Sequence, residues 1–258
     1  MAGATGIVTF VGAGPGDPEL LTLKALRAIG AAEVVIHDRL VSDEILALVP
    51  ASARRIDTGK EGFGPATPQA EIDGLLVAEA RAGHRVVRLK SGDSGVFGRL
   101  DEEIAALEAA EIAYAIVPGI TSAAAAVASI GQSFTRRGRN AGVRLITGHD
   151  TKGFADHDWR ALARPGEVAA IYMGKRAARF LAGRLLMHGA RADTPVTVVE
   201  NASRPGERIV STMLAALPAA LDEAALAGPA VILLGLAPRA AEAALPRLHP
   251  GLREEIAQ

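Results

Sequence analysis

Residues 7–24, Ile7-Val8-Thr9-Phe10-Val11-Gly12-Ala13-Gly14-Pro15-Gly16-Asp17-Pro18-Glu19-Leu20-Leu21-Thr22-Leu23-Lys24, decide the fold class. The run Ile7–Val11 is β-branched or aromatic throughout and reads as a strand. The glycines that follow let the backbone turn and approach a ligand without side-chain clash. Asp17 as N-cap and Pro18 at the first helical position predict a helix over Pro18–Ile29. A strand that runs through a glycine loop into a helix opens a βαβ unit. The same alternation continues outward. Val34–His37 is the next apolar run, and Ser42 caps a helix through Leu48. Gln69–Ala82 and Asp101–Ala110 read as helices, with strands at Arg85–Leu89 and Ala113–Val117. This order predicts an α/β fold with a mainly parallel sheet covered by helices on both faces.

The pattern resets at Pro118-Gly119. An Ala-rich helix is expected over Thr121–Ala128, then strands at Val143–Thr147, Ala169–Met173, Val196–Glu200 and Ala230–Gly235. Helices are expected at Ala177–Met187 and Met213–Ala220. The reading is two α/β domains, 1–118 and 119–245, with a tail over 246–258. A ligand is expected in the cleft between them, at strand C-termini.

Composition narrows the function classes. Hydrophobic residues make up 49% of the 258, enough for a real core, but aromatics are only 3%. So few rings argue against stacking platforms for single-stranded nucleic acid. A net charge of −1 supplies no global attraction to nucleic acid or membrane. With no cysteine, disulfides, thiolate metal sites and a Cys nucleophile are excluded. No secretory signal or membrane-length apolar run is visible, so a cytoplasmic location is expected. The histidines lack metal-ligand spacing, and no metal is expected.

Four motifs could carry chemistry. In the loop Gly12–Asp17, the sixth position of a dinucleotide fingerprint is Asp17, a carboxylate where a pyrophosphate would sit. The loop suits a small, non-phosphorylated ligand better; the bland alternative is an ordinary βα turn. In Lys90-Ser91-Gly92-Asp93-Ser94-Gly95-Val96-Phe97-Gly98-Arg99, a strand again enters a small-residue loop. Asp93 there would accept from a ligand hydroxyl or amine, cap its own loop, or pair with Arg99. Asp38-Arg39 ends the second strand, and Lys60 follows in the next crossover. An acid and a base so placed suit proton traffic, although a surface ion pair is the commoner outcome. Arg136, Arg137 and Arg139 lie in a stretch, 112–149, without Asp or Glu. They suit a polyanionic ligand or form a solvated loop.

Taken together, these motifs resemble the S-adenosylmethionine (SAM)-dependent tetrapyrrole methylases. The resemblance rests on Val11–Lys24, Asp38-Arg39-Leu40-Val41-Ser42, Gly59-Lys60, Val86-Val87-Arg88-Leu89-Lys90 and Val117-Pro118-Gly119-Ile120-Thr121-Ser122. Thr147-Gly148-His149, Tyr172-Met173-Gly174 and Val199-Glu200-Asn201 follow in the family's order. It covers residues 6–238. Within the family, the similarity is greatest to members that methylate uroporphyrinogen III at C2 and C7 to precorrin-2, for sirohaem and cobalamin.

The resemblance implies two α/β domains with SAM between them, S-adenosylhomocysteine as product, and a homodimer. By position, it assigns Pro15, Ser91, Gly92, Asp93, Val96, Thr121, Ser122, Met173 and Ala202 to the SAM site. It matches Asp38 to the proton acceptor and Lys60 to the proton donor. Arg136, Arg137 and Arg139 become clamps for the carboxylates of a tetrapyrrole. The chain departs from the family at Ser91 and Ser94, where Gly and Pro are usual, and at Leu100-Asp101, where two Gly are usual. His37 and Arg136 stand where Tyr and His are common, and Ala202 where Gly is common. A later precorrin methylase and a non-catalytic SAM or tetrapyrrole binder stay open as alternatives. A nicotinamide oxidoreductase is disfavoured by Asp17.

Overall fold

The computed structural model describes residues 6–59 and 67–239. They form two compact units. The first comprises the chain to Ala125 together with Glu200–Arg208 and Ala227–Ala230; the second comprises the remainder.

The first unit holds β1 (Ile7–Gly12), α1 (Leu23–Gly30), β2 (Val34–His37), α2 (Asp43–Leu46) and β3 (Arg54–Asp57). It continues with α3 (Gln69–Arg81), β4 (Arg85–Lys90), α4 (Leu100–Ala109), β5 (Tyr114–Val117) and the start of α5 (Ser122–Ser129). The strands make one sheet in the order β3-β2-β4-β1-β5. Every pairing is parallel, as the βαβ reading expects. All five strands therefore deliver their C-terminal loops to one edge.

Both faces of this sheet are buried, by the period-two alternation of side chains. Val11, Val35, Val87 and Leu89 pack against Ala25, Ile29 and Ile45 of α1 and α2. Val8, Phe10, Val34, Ile36 and Val86 pack against Ile72, Leu76 and Leu107 of α3 and α4.

The second unit contains β6 (Arg144–Thr147), β7 (His149–Asp150), β8 (Gly153–Phe154), α6 (Trp159–Leu162), β9 (Ala169–Tyr172) and α7 (Ala178–Met187). Then come β10 (Pro195–Glu200), β11 (Arg208–Met213), α8 (Leu217–Ala224) and β12 (Ala230–Leu234). The order is β11-β10-β12-β9-β6, with β7 and β8 a separate hairpin. This sheet is mixed: β9 pairs parallel with β6 and antiparallel with β12.

Two expectations are corrected. The helix expected from Pro18 begins at Leu23. Asp17 caps only a 3-10 turn over Pro18–Leu20, accepting from Glu19 N at 2.9 Å, and Thr22 is the cap of α1, accepting from Ala25 N at 3.1 Å. The helix expected at Met213–Ala220 is displaced: Met213 ends β11, a 3-10 turn follows, and α8 starts at Leu217. Strands β3 and β11 carry no clear alternation in sequence. Both are sheet-edge strands with largely exposed side chains, so backbone pairing rather than apolar burial defines them.

Candidate active site

At the C-terminal edge of the first sheet, three loops meet backbone to backbone. Gly14 and Gly92 pair as an isolated antiparallel bridge, with N–H···O distances of 3.0 and 2.7 Å. Ala13 N donates to Lys90 O at 2.7 Å. A Cβ on Gly12 would lie 2.5 Å from Gly119 N and 2.8 Å from Gly92 O. One on Gly119 would run into Gly92 O and lie 2.8 Å from the carbonyl carbon of Gly12. Glycine at 12 and 119 is thus a condition for bringing the β1, β4 and β5 loops together.

Asp93 organises this junction. One carboxylate oxygen accepts from Gly95 N at 2.9 Å and the other from Gly119 N at 2.8 Å. Capping of its own loop, one of the readings for Asp93, is present in the Gly95 bond. Arg99 instead pairs with Glu102, at 2.8 and 2.6 Å. Phe97 and Arg99 both hold left-handed backbone, at φ 52° and 55°. Ser94 has a buried hydroxyl with no hydrogen-bond partner among the described residues.

Asp38 follows β2, and its carboxylate meets a buried chain of charges. Arg88 Nη2 donates to Asp38 Oδ1 at 2.5 Å, and Arg88 Nε donates to Glu103 Oε1 at 2.9 Å. Lys90 Nζ donates to both oxygens of Glu103 at 2.9 Å. Arg88, Lys90 and Glu103 are 1%, 4% and 0% exposed, whereas the Asp38 side chain keeps 34%. Local geometry explains the cluster. Val86, Arg88 and Lys90 alternate onto the β4 face that α4 covers, and Glu103 and Leu107 share one side of α4. Two cations and two carboxylates balance.

The pKa directions follow from this setting. Burial lowers the Lys90 ammonium below its ordinary range, reinforced by Arg88 and opposed by Glu103 and Asp38. For Arg88 burial also lowers, but Asp38 and Glu103 together outweigh it and the guanidinium is raised. Arg88 therefore stays a permanent donor to Asp38.

The remaining expected residues fall in three places. Pro15, Ser91, Val96, Thr121, Ser122 and Ala202 belong to the first unit with Gly92, Asp93 and Asp38. Met173 belongs to the second, just past β9, with left-handed backbone (φ 53°) and 54% exposure; its carbonyl bonds His149 Nδ1 at 3.0 Å. Arg136 and Arg137 are exposed on a turn closed by an Arg136–Asn140 bridge. Arg139 spends its guanidinium on that turn, donating to Asn140 Oδ1, Ser133 O and Phe134 O at 2.8–3.0 Å. Lys60 lies outside the described residues.

Two functional candidates escaped the motif reading. Glu103 is a carboxylate four residues before Leu107 on the apolar side of α4, a local signal that was available. Arg204 had none: its partners are the Pro15 and Leu40 carbonyls, at 2.7 and 2.5 Å, and Ser91 Oγ at 3.4 Å. In the second unit, a hollow of about 360 Å³ lined by Pro165, Glu167, Ala190 and Gly235 contains none of the expected residues.

Residues 8–218 match the family described as Tetrapyrrole (Corrin/Porphyrin) Methylases. A uroporphyrinogen-III C-methyltransferase of Paracoccus denitrificans is 46% identical over 245 residues, covering 94% of this chain and 85% of that protein. Siroheme synthase 3 of Aeromonas hydrophila is 45% identical over 232 residues, covering 89% of this chain and 49% of that protein. The chain thus spans about half the length of the siroheme synthases it matches. Among solved structures, uroporphyrin-III C-methyl transferase from Thermus thermophilus complexed with S-adenyl homocysteine aligns with a TM-score of 0.77. Its identity is 40%, over 89% of this chain and 97% of that one.

Proposed function

This chain belongs to the tetrapyrrole methylases, and we propose from that premise that it transfers methyl groups from SAM to C2 and C7 of uroporphyrinogen III, giving precorrin-2. The observation that carries the reading is the partly exposed Asp38 carboxylate, held by buried Arg88 at the same sheet edge as the glycine-lined loops.

The fit to SAM rests on those loops. Backbone approaches at Gly12 and Gly119 leave no room for side chains, Gly92 holds left-handed backbone at φ 71°, and Asp93 ties the loops by accepting two N–H groups. When bound, SAM supplies a methyl already electrophilic on its sulfonium. The chain's task is alignment, exclusion of water and removal of a proton. A reduced pyrrole attacks through a ring carbon, and the cation formed must lose a proton. Asp38 is the base in this reading. Arg88 occupies Oδ1, and no other described residue bonds the carboxylate, so Oδ2 is left to accept the proton. Lys60 acts as proton donor, and Arg136 and Arg137 grip tetrapyrrole carboxylates, with Arg139 bracing their turn. Pro15, Ser91, Gly92, Asp93, Val96, Thr121, Ser122, Met173 and Ala202 contact SAM. The reading includes a homodimer in the cytoplasm, by likeness to the family. No described helix is long and apolar enough to cross a membrane.

The test is an anaerobic incubation with SAM and uroporphyrinogen III, followed by mass spectrometry. Two added methyl groups are expected. Methylation confined to a later precorrin, or S-adenosylhomocysteine binding without any methylation, overturns the assignment.

A further inference from the structure

We infer that Arg204 binds a carboxylate of a bound small molecule at the edge formed by the loops after β1, β2 and β4. The inference rests on the methyltransferase reading, because that reading puts carboxylate-bearing ligands at these loops. Arg204 lies in the segment Glu200–Arg208, which belongs to the first unit although it follows most of the second in sequence. Its Nε donates to Pro15 O at 2.7 Å, and its Nη2 donates to Leu40 O at 2.5 Å and to Ser91 Oγ at 3.4 Å.

A guanidinium carries five N–H donors. Those of Nε and Nη2 are spent on the three loops, and the two on Nη1 have no acceptor among the described residues. None of the partners is charged. Arg204 forms no ion pair among the described residues, and burial lowers its pKa, with Glu44 opposing through space. A partly desolvated cation held only by neutral oxygens lacks its counter-charge. Elsewhere in the first unit the buried cations have one: Arg88 and Lys90 share Glu103.

The local chain is shaped around this side chain. Gly16, at φ 144°, has no room for a Cβ, which would lie 2.5 Å from Arg204 Cγ and 2.9 Å from its Cδ. Asn201 and Ser203, close before it, both hold left-handed backbone, at φ 52° and 66°. Strained non-glycine backbone of this kind concentrates at ligand clamps. Neutral donors would suffice to staple three carbonyl or hydroxyl oxygens together. A planar cation with an unused edge matches a carboxylate. Two ligands of the proposed reaction supply that chemistry: the methionine carboxylate of SAM and the acetate or propionate groups of the tetrapyrrole.

Calorimetric titration of the full chain with S-adenosylhomocysteine and with 5′-methylthioadenosine, which lacks the carboxylate, separates the sources. Arg204→Gln removes the charge but keeps donors, and Arg204→Lys keeps the charge. If the carboxylate is that of SAM, Gln weakens S-adenosylhomocysteine by about 10- to 100-fold, leaves methylthioadenosine unchanged, and Lys restores part of the loss. If it belongs to the tetrapyrrole, both nucleosides bind as before, KM for uroporphyrinogen III rises by a similar factor, and Lys again restores part. The inference is overturned if Gln changes neither ligand. It is equally overturned if Gln and Lys weaken both nucleosides alike, the behaviour of a loop staple alone. Failure of the unaltered chain to bind S-adenosylhomocysteine would instead overturn the methyltransferase reading, a distinct result.

Discussion

Glu103 is the residue on which the buried charge chain turns. Among the described residues it is the only carboxylate that touches both Arg88 and Lys90, and it is fully buried. Glu103→Ala leaves Lys90 without a carboxylate partner in the interior and Arg88 with Asp38 alone, and a broken buried pair costs about 3–5 kcal/mol. A urea unfolding midpoint lowered accordingly is the expected result; an unchanged midpoint would show that water enters the cluster freely. Asp38 sits at the wetter end of the same chain, and its replacement is expected to act differently. Asp38→Asn should leave S-adenosylhomocysteine affinity intact while turnover falls by roughly 10²–10⁴. Calorimetry and single-turnover mass spectrometry would show the split. Undiminished turnover would remove Asp38 from proton transfer.

At the scale of elements, the β1, β4 and β5 loops hold each other through bare backbone. Gly119→Ala puts a methyl against Gly92 O and the backbone of Gly12. Overpacking of that kind costs about 1–3 kcal/mol. Here it also parts the loops assigned to SAM, so S-adenosylhomocysteine affinity should fall more than stability does. Equal affinity in Gly119→Ala and the parent would show that the loops tolerate separation.

In the second unit, the turn before α6 carries its own reporter. Trp159, the single tryptophan, donates its indole N–H to Asp156 at 2.6 Å, and Arg184 lies 5.6 Å from the ring centroid. The indole bond, aided by His157 N–H, lowers Asp156 below its ordinary 3.8. The proton is bound more weakly in the folded chain, so the stabilisation is present above 3.8 and is lost as pH falls through the lower, folded value. Tryptophan fluorescence on acidification should therefore step below pH 3.8, and the step should vanish in Asp156→Ala. A step above 3.8 would contradict the bond.

For the whole molecule, a ligand that binds only the folded chain must raise its stability. S-adenosylhomocysteine at about 100 times its Kd adds about 2.7 kcal/mol. In a chain of this size that corresponds to a thermal shift of roughly 5–10 °C. A shift of that order should be seen with S-adenosylhomocysteine and should be absent with NADH, since Asp17 at the end of the glycine loop opposes a pyrophosphate. The reverse order of effects would revive dinucleotide binding.

The sequence by itself determined the alternation of strands and helices in the first unit, its parallel sheet and the placing of Asp38 and Asp93 at strand ends. These rest on patterns that repeat within a few residues: β-branched runs, caps, and glycines after strands. It could not show β3 or β11, whose exposed edge positions need no apolar pattern. It could not tell which of its roles Asp93 would take, because the deciding N–H belongs to Gly119, 26 residues away. Only the tertiary structure decided that Arg88 links Asp38 to Glu103 and that Arg204 reaches Pro15 across 189 residues. Such bonds join groups whose separation along the chain carries no period, so nothing short of the packed fold brings them within hydrogen-bonding distance.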